Sequence, residues 1–107
     1  MEPDTRVLEE LVRRIVSAVH PLRIILFGSA ARSEMGPDSD FDVLVVMPEG
    51  IHRRQTAQLI RQHLLGLGFA KDIVVVKESD IEQYRNNPYF IIKPALDEGK
   101  ELYHAAA

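Results

Sequence analysis

The sequence predicts an α/β fold: a small β-sheet, mixed or parallel, layered with helices. Amphipathic stretches at helical spacing alternate with short β-rich runs, in the order α-β-α-β-α-β-α and then a weaker final strand. Three of those runs, Leu22 to Phe27, Phe41 to Met47 and Phe69 to Val76, are apolar at successive central positions, so each expects cover on both faces. The chain has 107 residues, 46% hydrophobic and 27% charged, which suits one globular domain large enough to bury a core. Residues 1–104 are read as that domain, and 105–107 are set aside as a candidate cloning tail.

The elements follow in order. Val7, Leu8, Leu11, Val12, Ile15, Val16 and Val19 recur at helical spacing, with Asp4 or Thr5 to cap the start and His20-Pro21 to end it. The strand Leu22 to Phe27 runs into Gly28-Ser29. Ala30 to Glu34 favours a short helix, and Met35 to Ser39 is loop by composition. After the strand Phe41 to Met47, Pro48 and Gly50 stop the run. His52 to Leu65 reads as a second amphipathic helix, with Gly66 and Gly68 as terminators. Beyond the third strand, Ser79 or Asp80 caps a short helix through Tyr84, and Asn86-Asn87-Pro88 breaks the chain. Tyr89 to Ile92 reads equally as strand or helix. Pro94 to Glu98 suits one helical turn with proline first and Gly99 past its end. Glu101 to His104 suits an edge strand.

Composition removes several functions. Without cysteine there are no disulfides, thiol nucleophiles or zinc-thiolate sites. Net charge is −3 and the pI is near 5.8, with no basic stripe, so direct duplex nucleic-acid binding is not expected. The acidic, periodic N-terminus is unlike a signal peptide, and no run approaches a membrane span, so a cytoplasmic protein without membrane contact is the expectation. No Walker A loop, dinucleotide fingerprint or Ser-His-Asp arrangement occurs, and His20, His52, His63 and His104 lack metal-ligand spacing.

The residues that carry chemistry lie in LFGSAARSEMGPDSDFDVLVV, Leu26 to Val46. Asp40 and Asp42 stand two apart at the head of a strand, so both point to one face with Cα atoms roughly 6.5–7 Å apart. Carboxylates that close repel, and a divalent cation relieves them; oxygen-only ligands favour Mg²⁺ or Mn²⁺ over zinc. Asp72, near the start of the next strand, reaches the same end of the sheet if the strands are neighbours. Three convergent acids suit two ions roughly 3.5–4 Å apart and in-line phosphoryl or nucleotidyl transfer. Gly28-Ser29, between a strand and a short helix, offers backbone N–H groups and a hydroxyl to phosphate oxygens. Each piece also has an ordinary reading: Gly-Ser is a common turn, Pro-Asp-Ser-Asp is turn chemistry, and Asp72 serves equally as a strand-end charge beside Lys71.

Gly28-Ser29, ten intervening residues and then Asp40-Phe41-Asp42 resemble the signature of the polymerase-β-like nucleotidyltransferase superfamily. Ala31-Arg32, Ser39-Asp40, Asp72 and Ala95-Leu96-Asp97-Glu98-Gly99 with Leu102-Tyr103 extend the likeness to its minimal nucleotidyltransferases, over nearly the whole chain. Ser33 departs from the family's usual glycine. The resemblance implies the polymerase-β-like nucleotidyltransferase fold, a small mixed β-sheet layered with helices. It implies that Asp40 and Asp42 ligate two Mg²⁺ ions, that Asp72 ligates the catalytic one and helps activate the acceptor hydroxyl, and that Gly28 and Ser29 hold the β- and γ-phosphates of ATP or another nucleoside triphosphate. The resemblance also implies Arg32 as a lesser candidate for phosphate or partner contact.

Minimal members resemble antitoxins paired with a HEPN-domain protein. The resemblance therefore implies adenylylation of a tyrosine on a HEPN toxin partner. Two rivals remain: a binding module that neutralises its partner by contact, and a nucleotidyltransferase for a small molecule such as an antibiotic. A homo-oligomer is left open. Arg53, Arg54 and Arg61 form a solvated face or meet an acidic partner, while Tyr84, Tyr89, Phe90 and Tyr103 suit core or interface.

Overall fold

The computed structural model describes residues 5–27, 41–66, 71–87 and 92–105. Helix α1 (Thr5–Val19) buries Leu11 and Ile15 completely, four residues apart on one face, and half-buries Val7, Leu8, Val12, Val16 and Val19 around them. It stops where His20 turns to φ +50° while its N–H still reaches the Val16 carbonyl at 3.0 Å. Pro21 then prevents continuation. Strand β1 (Arg23–Phe27) follows, and β2 is Phe41–Met47.

Helix α2 (Arg53–His63) is capped by the residue before it: His52 Nδ1 accepts from the Gln55 N–H at 3.3 Å. At its other end Gly66 takes φ +83°, the left-handed geometry that a terminating glycine supplies without strain. Strand β3 (Lys71–Lys77) enters helix α3 (Glu78–Tyr84) with no spacer. The expected cap therefore moves. Lys77 occupies the N-cap position, and Asp80 works from the third helical residue, its Oδ2 accepting the Lys77 N–H at 2.9 Å. Ser79 is tied elsewhere, its N–H and hydroxyl donating to Glu49 at 3.0 and 2.8 Å.

Helix α4 (Ile92–Glu98) begins two residues before the expected Pro94. The first four N–H groups of a helix have no intrahelical partner, so proline is tolerated at its third position. Burial of Ile92 and Ala95 supplies the reason to start early. The edge strand is β4 (Lys100–His104).

The sheet order is β3-β2-β1-β4. β1 pairs antiparallel with both β2 and β4, whereas β2 and β3 are parallel and joined through α2, so the sheet is mixed. A bulge between Ile24 and Ile25 shifts the β4 register, and Leu102 and Tyr103, adjacent in sequence, both pack against the same core. That core lies under α1 and α2, where Ile24, Leu26, Val43, Val45, Ile73 and Val75 meet Leu11, Ile15 and Ile60. On the opposite face Ile25, Phe27, Leu44, Val46 and Val76 meet Ile81 of α3 and Ile92 and Ala95 of α4. Both faces are covered, as apolar runs without alternation require.

Candidate active site

The site is built from strand ends. In the parallel pair, Asp42 of β2 is the register partner of Asp72 of β3; in the antiparallel pair, Phe27 of β1 is the partner of the same Asp42. Three adjacent strands thus present a row, Phe27–Asp42–Asp72, with neighbouring strands about 4.8 Å apart. Side chains alternate along a strand, so Asp42 shares its face with Leu44 and Val46, and Asp72 with Val74 and Val76. This is the face that α3 and α4 cover further along. Asp42 is half-buried and Asp72 exposed.

Two carboxylates side by side, with Asp72 exposed, repel each other and offer hard oxygen donors. Such a pair suits a divalent cation with several oxygen or water ligands. Phe27, 8% exposed, stands on the β1 side of Asp42, and Asp72 stands on its β3 side. The sequence reading did not single out Phe27. Its only signal was its place as the last apolar residue before Gly28, and the antiparallel register is what sets it beside Asp42.

Of the expected site residues, the structure brings Asp42 and Asp72 together. Gly28, Ser29, Arg32 and Asp40 lie outside the described residues, as do Ser33, the short helix expected over Ala30 to Glu34 and the loop after it. Among the described residues no three potential metal ligands cluster, since Asp42 and Asp72 form a pair. The histidines are dispersed: His52 caps α2, His63 Nδ1 lies 3.0 Å from the Leu59 carbonyl oxygen, and His104 Nδ1 lies 3.2 Å from Glu101. Tyr84 and Tyr103 pack against the two cores, while Tyr89 and Phe90 lie outside the described residues.

Cavities occur elsewhere. One of about 390 Å³ lies where Arg23 and Val46 meet Ile81, Glu82 and Arg85. Arg23 pairs with Val46 four register steps from Phe27 and Asp42, roughly 13 Å along the strands. The carboxylate pair and this cavity therefore lie at opposite ends of the β1–β2 ladder.

Comparison with known proteins agrees with the fold. The family model of the nucleotidyltransferase domain matches residues 6–99. A chain in the crystal structure of a toxin–antitoxin with AMP-PNP is similar with a TM-score of 0.69 and 17% identity, covering 92% of this chain and 73% of that one. A chain in the structure of the tri-AMPylated HEPN toxin of Shewanella oneidensis in complex with MNT antitoxin gives 0.64 and 16%, covering 94% and 71%. A putative nucleotidyltransferase from Sulfolobus solfataricus gives 0.56 and 22%, covering 73% and 70%. At these identities the likeness is one of fold. No curated protein matches the sequence significantly.

Proposed function

The chain belongs to the nucleotidyltransferase domain family, and from that premise we propose that it transfers AMP from ATP to a tyrosine hydroxyl of a HEPN toxin partner, acting as its antitoxin in the cytoplasm. The observation that carries this reading is the register pairing of Asp42 with Asp72. It supplies two of the three acids that two-metal nucleotidyl transfer uses. The third, Asp40, is joined directly to Phe41, whose register partner is Lys71 beside Asp72. Gly28 likewise follows Phe27, the partner of Asp42.

Asp42 and Asp72, with Asp40, would hold Mg²⁺, and the donor type fits it: all are carboxylate oxygens, and Asp72 is exposed. Bound there, Mg²⁺ would neutralise charge on the phosphates and stabilise the developing oxyanions. The protein's own residues do the rest. Gly28 and Ser29 would bind the β- and γ-phosphates through backbone N–H groups and the hydroxyl, with Arg32 beside them. Asp72 accepts the tyrosine proton as the oxygen attacks the α-phosphorus. One O–P bond forms, the α–β P–O bond breaks, and pyrophosphate leaves carrying the displaced electron pair. The toxin analogy draws on the similarly folded chains found with HEPN toxin and with AMP-PNP.

The test is ATP labelled on the α-phosphate, mixed with the purified HEPN-domain partner and Mg²⁺. Label is expected on a partner tyrosine, lost with Asp42→Ala or Asp72→Ala and lost with chelator. A partner neutralised equally well by Asp42→Ala, with no label transferred, refutes the enzymatic reading in favour of contact alone.

A further inference from the structure

We propose that the outer face of α2 docks an acidic surface of a partner protein. Residues 51–66 contain Arg53, Arg54 and Arg61 and no aspartate or glutamate. The whole chain carries −3, so removing those three positive charges leaves −6 on the remainder. Arg53 is spoken for, its guanidinium 3.3 Å from Asp80 Oδ2. Arg54 and Arg61 are exposed, two helical turns apart on one stripe with Gln58 between them, and make no ion pair among the described residues. Their Cα atoms stand roughly 10 Å apart along the helix.

The apolar evidence falls on the same element. Among the described residues the exposed large hydrophobics are Leu59, 40% exposed, and Leu65, 75% exposed. Leu65 sits in the turn just past the end of α2, and that turn is held rather than loose. Arg14 donates to the carbonyls of His63 and Leu65 at 3.5 and 3.2 Å, and is itself oriented by Glu10 at 2.8 Å. Arginine without lysine or acid is the charge composition of an interface more than of a solvated surface, and the exposed Leu65 adds apolar area beside it.

The charge pattern also selects the occupant. A second copy across a two-fold axis would set Arg54 and Arg61 against their own mates, with no acid in the helix to relieve them. A nucleic acid would find no lysine and no ring but the His63 imidazole on α2, and would meet a remainder charged −6. A separate protein with carboxylates spaced about two helical turns and an apolar spot for Leu65 fits both features. α2 covers the sheet face opposite Asp42 and Asp72, so docking there leaves the carboxylate pair open.

The inference rests on the reading above for its probe, the HEPN-domain partner. Association with that purified protein is measured by biolayer interferometry at 50 and 300 mM NaCl. The unsubstituted protein is expected to lose at least tenfold in affinity across that range. Arg54→Glu/Arg61→Glu is expected to weaken binding at least tenfold at low salt and to flatten the salt dependence, and Leu65→Ser to weaken it several-fold, with melting temperatures unchanged. Lys100→Glu, a charge reversal on β4, is expected to bind normally. Normal binding by Arg54→Glu/Arg61→Glu overturns the docking face while leaving label transfer standing. Loss of binding in that variant, with no label transferred by the unsubstituted protein, supports the docking face and refutes the catalysis. Binding of a single-stranded 20-mer that the double variant abolishes, with partner binding intact, overturns the proposal in favour of a nucleic-acid surface.

Discussion

Replacing Asp72 by asparagine should make the metal-free protein more stable and leave it gaining much less from Mg²⁺ than the parent does. Asp42 and Asp72 are register partners on adjacent parallel strands, which sets their Cα atoms about 5 Å apart. Two like charges at that separation repel by about 0.8 kcal/mol in a fully aqueous dielectric and about 3 kcal/mol at an effective constant of 20. Asp72 is exposed, so the aqueous end governs and relief of about 1 kcal/mol is expected. Asparagine keeps the shape and removes the charge. In a domain this size that amounts to a rise of roughly 4 °C in melting temperature. The assay is thermal unfolding of both proteins in chelator and in 10 mM Mg²⁺. The parent should gain stability with Mg²⁺ by mass action, and Asp72→Asn should start higher and gain much less. A variant that melts lower than the parent in chelator, or responds equally to Mg²⁺, refutes the idea that the two carboxylates form a strained, cation-seeking pair.

Three further outcomes test the scaffold. An ideal Cβ on Gly99 would overlap the Ala95 carbonyl oxygen and approach Ile25 Cγ2 to 2.6 Å, so Gly99→Ala must push α4 off β1. A loss of about 2–3 kcal/mol is expected in urea titration, and an unchanged midpoint would show the contact yields freely. Asp80→Ala removes the acceptor of the Lys77 N–H and the partner of Arg53 at the start of α3, and should cost about 1–2 kcal/mol. Glu10 is held down to about 2 from its usual 4.5, first by its hydrogen bond with Arg13 and then by that with Arg14, and Glu49 is lowered by the Ser79 N–H and hydroxyl. Both folded values lie below the unfolded ones, so their stabilisation is present above pH 4.5. For Glu10 it is lost between 4.5 and about 2. Glu10→Gln and Glu49→Gln should flatten the decline in stability between pH 5 and 3, and an unaltered acid limb would contradict the assignment.

The order of elements was legible in the sequence because it depends on neighbours along the chain. The spacing of Leu11 and Ile15, the proline after His20, the glycine at 66 and the unbroken apolar runs of β1 and β2 each act within a few residues. The same local logic misplaced what packing decides. The helix expected from Pro94 begins at Ile92, because the second core has room for that side chain. Asp80 caps α3 from inside it, because β3 leaves no spacer.

For the site, the sequence by itself determined the chemistry on offer: carboxylates at the heads of two strands, no thiol and no metal-spaced histidines. Which carboxylates meet was decided by tertiary structure alone. Hydrogen-bonded register between strands that are thirty residues apart carries no local trace. A shift of one residue in β3 would have turned Asp72 to the α1–α2 face, away from Asp42. Parallel pairing of β2 with β3 puts the two acids side by side, and antiparallel pairing with β1 puts Phe27 on the other side of Asp42. The residue types came from the sequence; their assembly into a pair came from the sheet, because the hydrogen-bonded register of β2 with β3 sets Asp42 abreast of Asp72.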